Sequence, residues 1–103
     1  MQTQKKEYLK LYLLQESKIK RLEQMSHLYP ERKNECELEI SEAQLLRKNI
    51  EEKINAVDNP LLSELLYQKY ILGKTLEELS YIFNYSLRHI ERLHKKALEK
   101  IDI

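Results

Sequence analysis

The chain has 103 residues, 34% of them charged, with 18 Lys and Arg against 17 Asp and Glu, one glycine, two prolines and one cysteine. This length holds one domain, or one small domain with an extended arm. A composition rich in Leu, Ile, Glu and Lys and poor in Gly and Pro belongs to long helices. No stretch approaches the roughly eighteen consecutive apolar residues of a membrane span. The lone Cys36 excludes an internal disulfide and suits a reducing, cytoplasmic setting. The first residues place basic side chains before a short apolar run, but Lys10 and Glu16 break it and no small-residue cleavage site follows. The expectation there is a helix, not a signal peptide.

Two long helices are expected first. Tyr8, Tyr12, Gln15, Ile19, Leu22, Ser26 and Tyr29 recur at alternating steps of 4 and 3, as do Cys36, Ile40, Ala43, Arg47, Ile50, Ile54 and Val57. Both sets are heptad seams with polar members. Pro30 separates them, and the residue before a proline avoids the helical region. A turn there folds the two into a coiled-coil-like antiparallel hairpin; the alternative is one long helix kinked at Pro30. In the first helix Leu9, Leu11, Leu13 and Leu14 widen the apolar stripe beyond one seam, which points to a homodimer. Residues 31–42 hold five glutamates against Arg32 and Lys33, a net charge of −3. That segment is either an exposed soluble face or a surface for a basic partner or a second copy.

Asp58-Asn59-Pro60 is the clearest boundary, because an Asx cap followed by proline opens a helix. Residues 1–58 are thus an assembly arm, and 59–103 a separate helical domain. The third helix runs through Leu61, Leu62, Leu65, Leu66 and Tyr70, and Gly73 ends it as a left-handed cap. Thr75 and Glu78 form a capping box, and Leu76, Leu79, Ile82 and Phe83 give an apolar face. Asn84 and Tyr85 interrupt that pattern; Asn tolerates a left-handed backbone. Ser86 is a second N-cap, after which Ile90, Leu93, Ala97 and Ile101 share a face. Two such helices around a tight turn make a helix-turn-helix, whose second helix fits a DNA major groove. The expected core of the three helices is Leu62, Leu65, Leu66, Leu76, Leu79, Ile82, Phe83, Ile90, Leu93 and Ala97.

The second helix carries Arg88, Arg92, Lys95, Lys96 and Lys100 against Glu91 and Glu99, so +3, with His89 and His94 in addition, in a chain that is only +1. Phosphate contacts need such a patch. Arg88 and Arg92 stand near the helix start, where base edges are read; Lys95 and Lys96 lie farther along and suit phosphates. Tyr85 sits in the turn within reach of a phosphate. Glu91 either accepts from cytosine or pairs with Lys95.

Thr75-Leu76-Glu77-Glu78-Leu79, Ser86, Ile90 and Lys96-Ala97-Leu98-Glu99-Lys100-Ile101 resemble region 4 of the sigma-70 family. The match extends upstream through 67–72, Gly73 and Lys74. Asn84 replaces the family's turn glycine and Ser80 its usual alanine. Leu87 and Glu91 stand where sigma-type readers often carry Arg, so their promoter sequence does not transfer. With a helical hairpin in front, the layout resembles small phage and prophage regulators of late transcription, the RinA and ArpU kind. The resemblance implies an all-α, sequence-specific DNA-binding regulator. Its DNA-contacting residues would be Tyr85, Ser86, Leu87, Arg88, His89, Glu91, Arg92, Lys95 and Lys96. Double-stranded DNA is the expected partner, with RNA polymerase a second. The competing reading is a protein-interaction module of sigma-like fold that binds polymerase or another regulator without specific DNA contacts.

An enzyme is not expected. There is no Gly-rich phosphate loop and no His-Glu-x-x-His. His89 and His94 diverge by about 140° on a helix, too far to share a metal. His27 is isolated, and Cys36, on its seam, reads as a small core residue. No cofactor is implied.

Overall fold

The computed structural model describes residues 2–103, which are mostly helical, with no strand among them. Helix α1 spans Gln2–Leu28 and α2 spans Lys33–Asn55. Between them Pro30–Arg32 form a 3-10 turn, entered through Tyr29 at φ −129°, ψ 80°, outside the helical region that a following proline disfavours. The chain therefore reverses at Pro30 rather than bending there. The two helices pack antiparallel along the heptad seams: Tyr12, Ile19, Leu22, Cys36, Ala43, Ile50, Ile54 and Val57 are all buried. The Tyr12 hydroxyl donates to Glu51 Oε1 at 2.7 Å, and the Arg47 guanidinium lies 5.7 Å from the Tyr12 ring centre. Burial, and then that carboxylate, push the Tyr12 phenol up to about 12.

The link from α2 to α3 is closed by side chains. Asn59 Oδ1 accepts from the Leu61 and Leu62 amides at 3.0 and 3.2 Å, satisfying two orphan donors of α3 (Pro60–Leu66). Ser63 Oγ donates to the Ile54 carbonyl at 3.0 Å, covering the end of α2. Beyond Leu66 the helix widens into a π-wound turn, Tyr67–Ile71. Gly73 then stops it with φ at +76°, the left-handed cap expected of the chain's glycine. Helix α4 spans Leu76–Phe83 and α5 spans Leu87–Lys100.

One core runs across the boundary at residue 58. Leu9 and Tyr12 of α1 and Ile50 and Ile54 of α2 pack with Leu62, Leu66, Tyr70, Leu98 and Ile101. A smaller cluster of Leu65, Leu79 and Ile90, flanked by Leu76, Phe83 and Leu93, lies between α3, α4 and α5. The expected core is met except at Ile82, which is 49% exposed. On an eight-residue helix whose inward line is set by Leu76, Leu79 and Phe83, Ile82 falls about 90° off that line. Leu9 and Leu98 are completely covered although neither belongs to a single seam or stripe, because α5 packs on α1 as well as on α3 and α4.

That docking also changes the reading of the wide stripe on α1. Leu9 is covered by the chain's own C-terminal helices, and Leu11 packs against the same cluster. Leu13 and Leu14 remain exposed, at 38% and 59%. The acidic run at the start of α2 is paired within itself, Arg32 Nε lying 3.5 Å from Glu35 and Lys33 Nζ 3.9 Å from Glu37. No helix among the described residues is long and apolar enough to cross a membrane.

Candidate nucleic-acid interface

Helix α4 is fixed at both ends, and the turn that leads from it into α5 is closed by hydrogen bonds. Thr75 Oγ1 accepts from the Glu78 amide at 3.1 Å while Glu78 Oε1 accepts from the Thr75 amide at 2.9 Å, so the capping box is complete. These hydrogen bonds hold the Glu78 carboxyl below the usual range. At the other end Asn84 sits at φ 58°, ψ 44°. The Tyr85 amide donates to the Ser80 carbonyl at 3.0 Å and the Asn84 amide to Tyr81 at 3.3 Å, which is the Schellman pairing. Ser86 Oγ then accepts from the His89 amide at 3.1 Å and opens α5. Two helices thus meet across residues 84–86 with little freedom in the angle between them.

Helix α5 is sharply two-sided. Ile90, His94, Ala97 and Leu98 face inward and are buried. Arg88, Arg92 and Lys95 lie within about 60° of one another on the outward side and are exposed. Lys96 flanks this strip on one edge; Leu87, 39% exposed, and Glu91 flank it on the other. The ion pairs among the described residues are Arg32–Glu35 and Lys33–Glu37, both on the hairpin. The cations of α5 and Glu91 are in none of them, so of the two readings of Glu91 the pair with Lys95 is absent from this arrangement. Ser86 is exposed, but its oxygen is engaged in capping. The Tyr85 and His89 rings pack against each other at a tilt of 40°, with ring centres 4.5 Å apart.

His94 departs from the sequence reading. It counts toward positive charge in the sequence, but in the fold it is 6% exposed, and its Nε2 shares a hydrogen bond of 2.7 Å with the Tyr70 hydroxyl. Burial, and then the nearby Lys69 and Lys6, lower its pKa to about 4, so it is neutral near pH 7. His89, half-buried on the turn side, is the histidine left beside the outer strip.

The fold also brings lysines to α5 that local sequence could not assign there. The start of α1 crosses the second half of α5: Gln2 Nε2 donates to the Lys95 carbonyl and Lys5 Nζ to the Glu99 carbonyl, both at 3.3 Å. Lys6 lines a cleft with Glu91, His94 and Lys95. Beside it a second cleft, of about 450 Å³, has Leu13, Tyr70, Leu76 and Leu87 as its floor and Lys10, Lys69 and Lys74 around it, with Glu77 and Glu91. The sequence signal for this was Leu9: an apolar residue beside the seam that needed a partner outside the hairpin.

The chain matches no protein family, no curated protein and no solved structure.

Proposed function

We propose that this protein is a sequence-specific DNA-binding transcriptional regulator of the phage or prophage kind, reading the major groove with α5. The observation that carries the reading is the outward strip of Arg88, Arg92 and Lys95. It lies on a 14-residue helix behind a turn held by a Schellman pairing and the Ser86 cap, and among the described residues no ion pair engages its cations. Arginine forks suit the O6 and N7 edge of guanine, and lysines farther along suit phosphates. The resemblance of residues 75–79, Ser86, Ile90 and 96–101 to sigma-70 region 4 is a second support, carried by residues outside that strip. In this reading Tyr85, Ser86, Leu87 and His89 sit at the groove-facing helix start, and Lys96 meets a backbone. Titrating a labelled duplex with the protein at several salt concentrations tests the proposal. Specific binding that weakens steeply with salt is expected, and salt-insensitive or absent binding contradicts it.

A protein partner, RNA polymerase or another regulator, is a second reading favoured by one observation. Tyr81 and Ile82 on the outer side of α4 are 85% and 49% exposed, more apolar surface than an eight-residue helix needs to show. The homodimer belongs here too. Leu38 and Leu45, seven residues apart on the outer stripe of α2, are 63% and 59% exposed, and Leu14 on α1 is 59% exposed.

A further inference from the structure

We propose that Lys6 and Lys10 of α1, together with Lys74 before α4, form a second row of phosphate contacts on the flank of α5 opposite Lys96. The hairpin is then part of the DNA-binding surface and not only an assembly arm. The inference rests on α5 being the groove-facing helix, and it adds residues from a part of the chain remote in sequence from it.

Three observations carry it. First, α1 is held against α5 by the Gln2 and Lys5 contacts to the Lys95 and Glu99 carbonyls, so Lys6, one residue on, lies beside α5 by construction. Second, Lys6 and Lys10 are one helical turn apart on the same side of α1, where two like charges are mutually unfavourable. Burial and the charges of Lys10 and Lys6 also lower the pKa of Lys69 below the ordinary lysine value. Glu77 and Glu91 line the same cleft, but neither forms an ion pair with these lysines. Lys6, Lys10, Lys69 and Lys74 thus stand against Glu77, Glu78 and Glu91, and an excess of positive charge in one place is the feature a polyanion relieves on binding. Third, the surface is continuous. Lys95 lines the groove that holds Arg92 and Lys96 on one side and the cleft that holds Lys6 on the other. An isolated acidic peptide site would not need that continuity; a duplex backbone beside a groove-bound helix does.

The test uses the full chain and the salt dependence of its binding to a mixed-sequence duplex of about 20 base pairs, where each phosphate contact adds about 0.9 to the slope of log K against log salt. The variant Lys6→Gln/Lys10→Gln/Lys74→Gln is compared with Lys18→Gln/Lys20→Gln/Lys48→Gln, which removes the same charge from elsewhere on the hairpin. The first should flatten the slope by about 2 to 3 and lower affinity equally for preferred and scrambled duplexes; the second should leave the slope alone. Circular dichroism checks the fold of both, and Lys10→Gln alone, at an exposed position, should flatten the slope by about 1. An unchanged slope in the first triple, or an equal change in both triples, overturns the inference while leaving α5 as reader. Wild-type protein that does not bind duplex at all overturns both. Binding to polyglutamate that the first triple abolishes, with the duplex slope unaltered, assigns the lysines to an acidic protein and overturns the inference.

Discussion

The Tyr70 hydroxyl and His94 Nε2 lie 2.7 Å apart, each side chain almost wholly buried, and join the π-wound end of the third helix to the inner face of α5. A histidine at that place must stay neutral. Its charged form would lose solvation and would face Lys69 and Lys6, the charges that with burial lower its pKa to about 4 from an ordinary 6.5.

Stability should therefore depend on acid in a defined window. The folded-state pKa is depressed, so the contribution is complete above about pH 6.5 and is lost as the pH falls toward about 4. Between about pH 7 and pH 5 the loss assignable to His94 is about 2 kcal/mol. Urea melts of the wild type and of His94→Leu/Tyr70→Phe, which removes both partners, check this. The double variant should be distinctly less sensitive to pH over that interval, and parallel curves would assign the acid sensitivity to other groups.

A second prediction concerns the two left-handed residues. Gly73 has φ +76°, and a Cβ built there lies 3.3 Å from Leu13 Cδ1. The clash is with the end of a flexible side chain, so the backbone conformation dominates, and Gly73→Ala should cost about 1–2 kcal/mol. Asn84, at φ 58°, already bears that strain. Asn84→Gly should be neutral or stabilising by a few tenths of a kcal/mol. Thermal melts in which Gly73→Ala is harmless would mean that the junction before α4 does not require its present geometry.

How much of this was legible from residues alone follows from the range of the interactions. The capping box at Thr75, the Asn59 cap, the Gly73 stop and the Ser86 cap are signals that act within four residues, and each is found as read. The two heptad seams are equally local in their period, and Pro30 supplied the reversal between them. The docking of α5 on α1 has no local signature. Leu9 and Leu98 are core only because two elements some ninety residues apart meet, as the Gln2–Lys95 contact shows. His94 carried the wrong charge for the same reason, since its burial comes from that packing. Ile82 was misplaced because an eight-residue helix has too few apolar positions to define its inward line by periodicity.

Glu91 offers a third test. It stands on the flank of α5 turned toward the Lys6 and Lys10 clefts, about 60° from Arg88, and it has no ion pair with Lys95. Its charge should simply oppose phosphate. Glu91→Gln should tighten binding to every duplex by roughly threefold and leave the selected sequence motif unchanged. A changed preference at one base pair would instead place the carboxylate on a cytosine edge.

Assembly can be checked without DNA. Sedimentation equilibrium at micromolar concentration should give a dimer of the 12.5 kDa chain, and Leu14→Glu/Leu45→Glu should shift it to monomer with its helicity intact. Both leucines are exposed, whereas Ile19 is buried inside the hairpin seam, and a charge there would unfold the chain rather than separate two copies. A wild-type monomer at these concentrations would remove the dimer.

The most direct measurement on the central claim is fluorescence anisotropy of a sequence selected from random duplexes against its scrambled counterpart, with wild type, Arg88→Ala/Arg92→Ala and Lys96→Ala. If α5 reads the major groove, the arginine pair should cost roughly 1–3 kcal/mol per contacted base and erase most of the discrimination. Lys96→Ala should weaken both duplexes alike. Selection that yields no preferred sequence, or an arginine double variant that binds and discriminates as the wild type does, would contradict the account.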